Sequence, residues 1–197
     1  MTVAMRAAAQ TASVVAVVGR SGVGKTTLLE RLVPVLRASG LAVGCVKHAS
    51  HGFLADRPGK DSYRLFEAGS EAVALISRHQ VATFCRRDGD AGAEVSLFAA
   101  VSTLPAGLDL VLAEGFSWEP IPRVVLVAPG EEPRDEYLRN GSLIDVIEAP
   151  LPEPGSPPPF SQGQVVQLAR RLAARARARA RAASRLVVVA SARRNLQ

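Results

Sequence analysis

Residues 19–27 read G-R-S-G-V-G-K-T-T, and no other stretch constrains the fold of this chain so tightly. They satisfy the spacing G-x-x-x-x-G-K-[ST], with Gly19, Gly24, Lys25 and Thr26 in the fixed positions. At the chain's own residue frequencies a chance match is roughly a one-in-500 event, so composition does not explain it. The flanks agree. Residues 14–18 (V-V-A-V-V) are a continuous apolar run, as in a buried strand, and Leu28, Leu29, Leu32, Val33 and Leu36 follow at helical spacing. Strand, glycine-rich loop and helix make a phosphate cradle. The glycines let the loop curl until successive N–H groups face one concavity, and the helix N-terminus adds its partial positive charge there. Ser21, Gly22, Val23, Gly24, Lys25, Thr26 and Thr27 are the expected cradle residues. Lys25 supplies a mobile charge for the outer phosphates, and the Thr26 hydroxyl is an expected Mg²⁺ ligand. An ordinary glycine turn would need neither the lysine nor the threonine.

Beyond the loop, strand and helix patterns alternate. We expect strand 14–18, helix 25–38, strand 42–46, a polar loop over 48–60 and a short helix near 61–68. Strands near 71–76 and 81–85, a turn over 86–92, a helix within 93–102, and strands 109–113, 123–128 and 143–147 complete the pattern. This predicts an α/β fold of P-loop NTPase type: a mostly parallel twisted sheet with helices on both faces and ligands at the carboxyl ends of its strands. Residues 149–160 contain six prolines and read as a linker between a nucleotide-binding domain (1–148) and an Ala/Arg-rich helical tail (161–197). Val165, Val166, Leu168 and Leu172 are spaced to dock the start of the tail, whereas the later A-R-A-R-A-R-A run reads as a solvated face.

The net charge of +6 belongs to the tail. Residues 161–197 hold nine Arg and no acid, leaving 15 Lys and Arg against 18 Asp and Glu elsewhere, a balance of −3. Nucleic-acid binding is therefore not expected, except through the tail. Only three of the 24 basic residues are lysines, so Lys25, Lys47 and Lys60 mark positions where a compact ammonium is preferred to a planar fork. Cys45 and Cys85 form no C-x-x-C pair and read as small core residues in a reducing compartment. The apolar run near the N-terminus leads straight into the phosphate loop, so it is not read as a cleaved leader. No uncharged run reaches about 18 apolar residues, so no membrane span is expected and the chain is placed in the cytoplasm.

Residues 109–116, D-L-V-L-A-E-G-F, are an apolar strand ending in an acid and a glycine. Beside a phosphate loop, Glu114 is the candidate partner of Thr26 in holding Mg²⁺, and Asp109, at the far end, is read as structural. Residues 47–64 gather oxyanion-binding groups: Lys47, His48, His51, Asp56, Lys60, Asp61, Ser62 and Arg64. His48 and His51 lack a further ligand pattern and are read as structural or substrate-contacting rather than a metal pair. Lys60, Lys47 and His48 are candidates to face phosphate. Asp61 is either a Mg²⁺-shell or catalytic carboxylate or, with Ser62, a helix cap.

These residues resemble a family. G-R-S-G-V-G-K-T-T-L-L-E, V-K-H, R-P-G-K-D-S-Y-R-L-F-E-A-G and D-L-V-L-A-E-G-F are similar, in order from residue 14 to about 128, to the MobB-type accessory proteins of molybdopterin-guanine dinucleotide biosynthesis. The resemblance implies a dimeric, GTP-binding, weakly GTP-hydrolysing protein with Mg²⁺. Its partners would be the guanylyltransferase that joins GMP to molybdopterin and, beyond it, molybdopterin or a molybdoenzyme. In this role Lys25, Glu114 and Asp61 would carry the catalytic work. No N-K-x-D guanine-reading motif is present, so guanine preference rests on the resemblance alone. Where the family carries a richer histidine cluster after the K-H, Ala49 and Ser50 intervene here. Two other readings share the same loop: a small-molecule kinase using Asp61 or Glu114 as base, and a nucleotide-gated adaptor without useful turnover.

Overall fold

The apolar runs become the strands of one parallel sheet. A computed structural model describes residues 12–50, 52–54, 56–86, 96–149 and 160–194, with side chains described to residue 183. His51, all of the 86–92 turn except Arg86, the start of the expected 93–102 helix and linker residues 150–159 lie outside them. The chain forms two compact units, one from residues 1–48 and 95–197, the other from residues 49–94.

In the first unit β1 (Ser13–Val18), β2 (Val43–Lys47), β5 (Leu110–Glu114), β6 (Arg123–Val127) and β7 (Leu143–Glu148) form a five-stranded sheet in the order β2-β5-β1-β6-β7. Every pairing is parallel. Side chains alternate across it. Val15, Val17, Leu110, Leu112, Val124 and Leu126 pack with α1 (Lys25–Ala38) through Leu28, Leu32 and Leu36. The other face carries Val111, Ala113, Val125 and Val127, covered by α3 (Leu97–Ser102) through Leu97 and Val101 and by Tyr137 of α4 (Asp135–Leu138). Helices thus lie on both faces, as a parallel sheet with two apolar faces requires.

The C-terminal helix α5 (Gln162–Arg194) belongs to the same core as α1. Val165, Leu168, Ala169, Leu172, Ala173 and Ala176 are buried, one turn further than the spaced apolar residues alone suggest. Alanine extends the stripe because helix–helix contact needs little side-chain volume. Arg177 and Arg171 secure its flanks: one donates to the Ser39 carbonyl at 2.9 Å, the other pairs with Asp145 at 2.6 Å.

Arg123 is fully buried in β6, and among the described residues it pairs with no carboxylate. Its guanidinium donates to the carbonyls of Ser117 (2.9 Å), Tyr137 (3.2 Å) and Glu119, tying the turn after β5 to α4. Burial lowers its affinity for the proton, and the carbonyl dipoles hold the charge.

The second unit holds α2 (Asp61–Glu67) and an antiparallel ribbon of β3 (Ala72–Ile76) and β4 (Val81–Cys85). Arg86 stacks over Phe66 at 4.3 Å and donates to the Ser70 carbonyl at 3.2 Å. A cavity of about 420 Å³ opens between Tyr63, Phe66 and Phe84.

The cysteine expectation fails. Cys45 and Cys85 are both exposed, because β2 is the sheet's edge strand and β4 belongs to a ribbon with little cover. Partial desolvation and the nearby Glu114 charge push the Cys45 thiol up, which keeps it protonated.

Candidate functional site

Three sequence-distant residues meet because of sheet register. In the ladder Val17 lies opposite Glu114, and Glu114 opposite Lys47. The carboxyl ends of β1, β5 and β2 are therefore level. The phosphate loop leaves β1 at this edge, and α1 starts at Lys25, so Thr26 comes down beside Glu114.

The loop is shaped by glycine where it must be. At Gly19, φ is +148° and a Cβ would lie 2.5 Å from the Leu126 carbonyl oxygen, so no side chain fits. Gly24 caps α1 from the left-handed region at φ +95°. Ser21 and Gly22 are exposed at the tip, while the Val23 side chain is buried in the core, so Val23 offers the cradle only its backbone. Thr27 is half-buried on the first turn of α1. Lys25 folds back over the loop and donates to the carbonyls of Gly19 at 2.9 Å and Arg20 at 2.6 Å. Desolvation, with a smaller contribution from Lys47, lowers its pKa against the opposing pull of Glu114.

Glu114 is 8% exposed and both of its oxygens are engaged. Thr26 Oγ1 donates to Oε2 at 2.9 Å, and the Lys47 ammonium lies 3.0 Å from Oε1. Lys47 Nζ also donates to Thr26 Oγ1 at 3.2 Å. Beside this trio a cleft of about 450 Å³ runs between α1 and β2 over Leu29, Val33 and Cys45.

The backbone after Glu114 turns sharply. Gly115 has φ +90°, and a Cβ there would lie 3.2 Å from that of His48. Phe116 is the described non-glycine residue with a positive φ, at +58°, and is buried. That conformation is costly for a bulky residue and persists where surrounding packing holds it. Here the packing is an aromatic group: His48 lies edge-on to Trp118 at 4.9 Å and 5.7 Å from Phe116. His48 also donates its backbone N–H to the Glu114 carbonyl at 3.0 Å. Sequence reasoning flagged His48 but missed Phe116 and Trp118. The signal was two aromatics within three residues, in a chain only 5% aromatic.

Lys60 and Asp61 belong to the second unit. Lys60 is the N-cap residue of α2, in extended conformation, with no side-chain capping bond. Asp61 is 97% exposed and pairs with Arg64 at 3.7 Å. Ser62 donates instead to Asp56, whose carboxylate also accepts the Arg57 N–H at 2.7 Å. That hydrogen bonding, led by Ser62, holds the Asp56 carboxyl below the usual range. The capping alternative for Asp61 and Ser62 is thus overturned: the local hydrogen bonds go to Asp56. Asp109 has a structural partner, accepting the Ala42 N–H at 2.8 Å. Among the described residues no cluster of three or more His, Cys, Asp or Glu could hold a metal, and no helix is long and apolar enough to cross a membrane.

The chain is similar to known proteins in sequence and in fold. The molybdopterin-guanine dinucleotide biosynthesis adapter protein of Escherichia coli (strain K12) is 38% identical over 132 residues, covering 67% of this chain and 75% of that protein. The probable adapter protein of Bacillus subtilis (strain 168) is 32% identical over 136 residues, covering 68% and 75%. A crystal structure of molybdopterin-guanine biosynthesis protein B superposes with a TM-score of 0.59 at 28% identity, covering 83% of this chain and 99% of that one. The Bacillus subtilis MobB crystal structure gives a TM-score of 0.56 at 28% identity, covering 81% and 98%. The profile for molybdopterin guanine dinucleotide synthesis protein B (MobB) matches residues 14–149, well over half of the chain, and the chain belongs to that family.

Proposed function

We propose that this protein is a GTP-binding adapter in molybdenum cofactor biosynthesis, serving the guanylyltransferase that joins GMP to molybdopterin. The observation that carries the reading is the level edge at which Lys25, Thr26 and Glu114 converge under a glycine loop, in a chain of the MobB family. The loop glycines and the start of α1 bind the phosphates, and Lys25 leaves its two loop carbonyls to reach the outer ones.

The donor set suits Mg²⁺. Thr26 Oγ1 and Glu114 are oxygen donors that already grip a cation, the Lys47 ammonium. Mg²⁺ is commonly held by one or two protein oxygens, phosphates and water. When bound, it would neutralise charge on the phosphates. Hydrolysis is expected to be slow. Glu114, the carboxylate at the end of β5, has both oxygens engaged by Thr26 and Lys47 and is assigned to the cation rather than to an attacking water. The relatives' description as adapter proteins favours an adapter over a kinase. Asp61 is assigned to turnover or to the Mg²⁺ shell, and Lys60 and His48 to phosphate or pterin contact.

Two copies pairing would cover the apolar ribbon of the second unit, where Leu75, Ile76 and Val81 are exposed. That ribbon supports the homodimer. The cytoplasm is the compartment in which such a cofactor-assembly step is placed.

The test is equilibrium binding of GTP, ATP and GMP with Mg²⁺. Wild type should prefer GTP. Lys25→Ala should weaken triphosphate binding about tenfold or more, matching loss of a charge-assisted contact of ~1.5–3 kcal/mol, without unfolding the protein. Equal GTP affinity in both proteins would reject the site.

A further inference from the structure

Lys47 does something that a phosphate-binding lysine need not do. Its ammonium sits on the very oxygens assigned above to the metal, 3.2 Å from Thr26 Oγ1 and 3.0 Å from Glu114 Oε1. The proton pattern matters. Thr26 spends its hydroxyl proton on Glu114 Oε2 and turns a lone pair to the Lys47 ammonium. A divalent cation would use that same lone pair and that same carboxylate. The ammonium therefore makes the contacts a small hard cation would make.

The three partners differ in freedom. The Glu114 side chain is 10% exposed and held at the end of β5, whereas that of Lys47 is 59% exposed on the edge strand. Glu114 cannot follow water if left alone, and a buried carboxylate without a counter-charge is costly. Lys47 can leave, because its stem lies at an open edge and its head is half in solvent already. One group is fixed and needs a cation; the other is a cation on a flexible stem.

We infer that the Lys47 ammonium is a resident placeholder. In the nucleotide-free protein it neutralises Glu114 and keeps Thr26 and Glu114 in register, and it yields these oxygens when a divalent cation arrives with nucleotide phosphates. This rests on the nucleotide reading above and deepens it: the site is closed to free divalent cation and opens to the cation–nucleotide complex. The nucleotide makes the exchange favourable because its phosphates offer Lys47 a new partner, which a bare cation does not.

The experiment uses the full chain without nucleotide and Mn²⁺ as the spectroscopic probe, titrated by electron paramagnetic resonance. Lys47→Met keeps the stem and removes the charge. It should bind Mn²⁺ about tenfold or more tightly than wild type. In parallel, its unfolding temperature should rise with added Mg²⁺ while that of wild type stays flat. The double variant Lys47→Met, Glu114→Gln should lose the gain. Equal or weaker Mn²⁺ binding by Lys47→Met, or a gain that survives in the double variant, would overturn the placeholder. GTP binding by wild type is measured on the same preparation. Wild type that binds no triphosphate rejects the nucleotide reading itself. Wild type that binds GTP, with Mn²⁺ affinity unmoved by Lys47→Met, rejects only the placeholder.

Discussion

In the parallel sheet every residue of β5 and β6 is buried, whereas in the ribbon of β3 and β4 only Val73 is. The contrast extends to the helices. α1 buries Leu28, Leu29, Leu32 and Leu36, and α2 buries none of its residues. The first unit is a self-sufficient core, closed on both faces. The second is a short helix and a two-stranded ribbon, a kind of structure that is marginal alone in water. Chemistry that needs fixed distances, such as the contacts of Glu114, sits in the first. The second exposes apolar side chains of the sort another surface would cover.

The largest effect should come from removing α5. Truncation after Phe160 strips Val165, Leu168 and Leu172 from the core, each worth about 1.5–3 kcal/mol. That sum approaches the ~5–15 kcal/mol by which whole domains are stable. Urea unfolding should show loss or a severe shift of the cooperative transition. A wild-type midpoint would mean that the helix is an appendage and that the first unit is smaller than described.

A paired substitution sharpens the contrast between units. Leu32→Ala, at a fully buried site, should cost about 2–5 kcal/mol. Val73→Ala should cost less than about 1.5 kcal/mol, with no shared effect on the transition of the first unit. Equal losses would show one cooperative body instead of two.

Ile76→Lys addresses the ribbon surface. The side chain is 77% exposed, so the monomer should keep its unfolding midpoint. Sedimentation should show a dimer in wild type and a weaker one in the variant. An unchanged dimer would place pairing elsewhere on the chain.

Asp61→Asn should have the smallest structural effect. Its carboxylate is almost wholly exposed, and its partner Arg64 lies at 3.7 Å, so the thermal midpoint should move by less than about 1 °C. Any fall in Mg²⁺-dependent GTP turnover on the same sample then reports on chemistry. Unchanged turnover would remove Asp61 from the catalytic set.

Much of the first unit was legible in residue order. The run 14–18 and the loop motif locate β1 and α1 because both are local: apolar continuity, glycine placement and 3.6-residue spacing. β5 ends on Glu114 itself, one residue later than the apolar run suggested, and this puts the carboxylate into the ladder opposite Lys47. Strand order was not legible. Nothing local shows that β2 lies at the sheet edge, so Cys45 was misplaced in the core. Nor does sequence distance reveal that Ser62 turns to Asp56, or that the N-cap residue of α2 is Lys60, which makes no side-chain capping bond. The pairing of Lys47 with Thr26 and Glu114 could be sensed only as the rarity of lysine in an arginine-rich chain.

Trp118 is the chain's single tryptophan, and it stands edge-on to the imidazole next to Lys47 in sequence. The protein therefore carries an optical reporter of its own, with no competing indole to subtract. Motion of the β2 terminus would change the environment of that ring and with it the colour or intensity of its emission. Ligand titrations followed at that wavelength would read the carboxyl edge of the sheet without a label, and stopped-flow mixing would time the event.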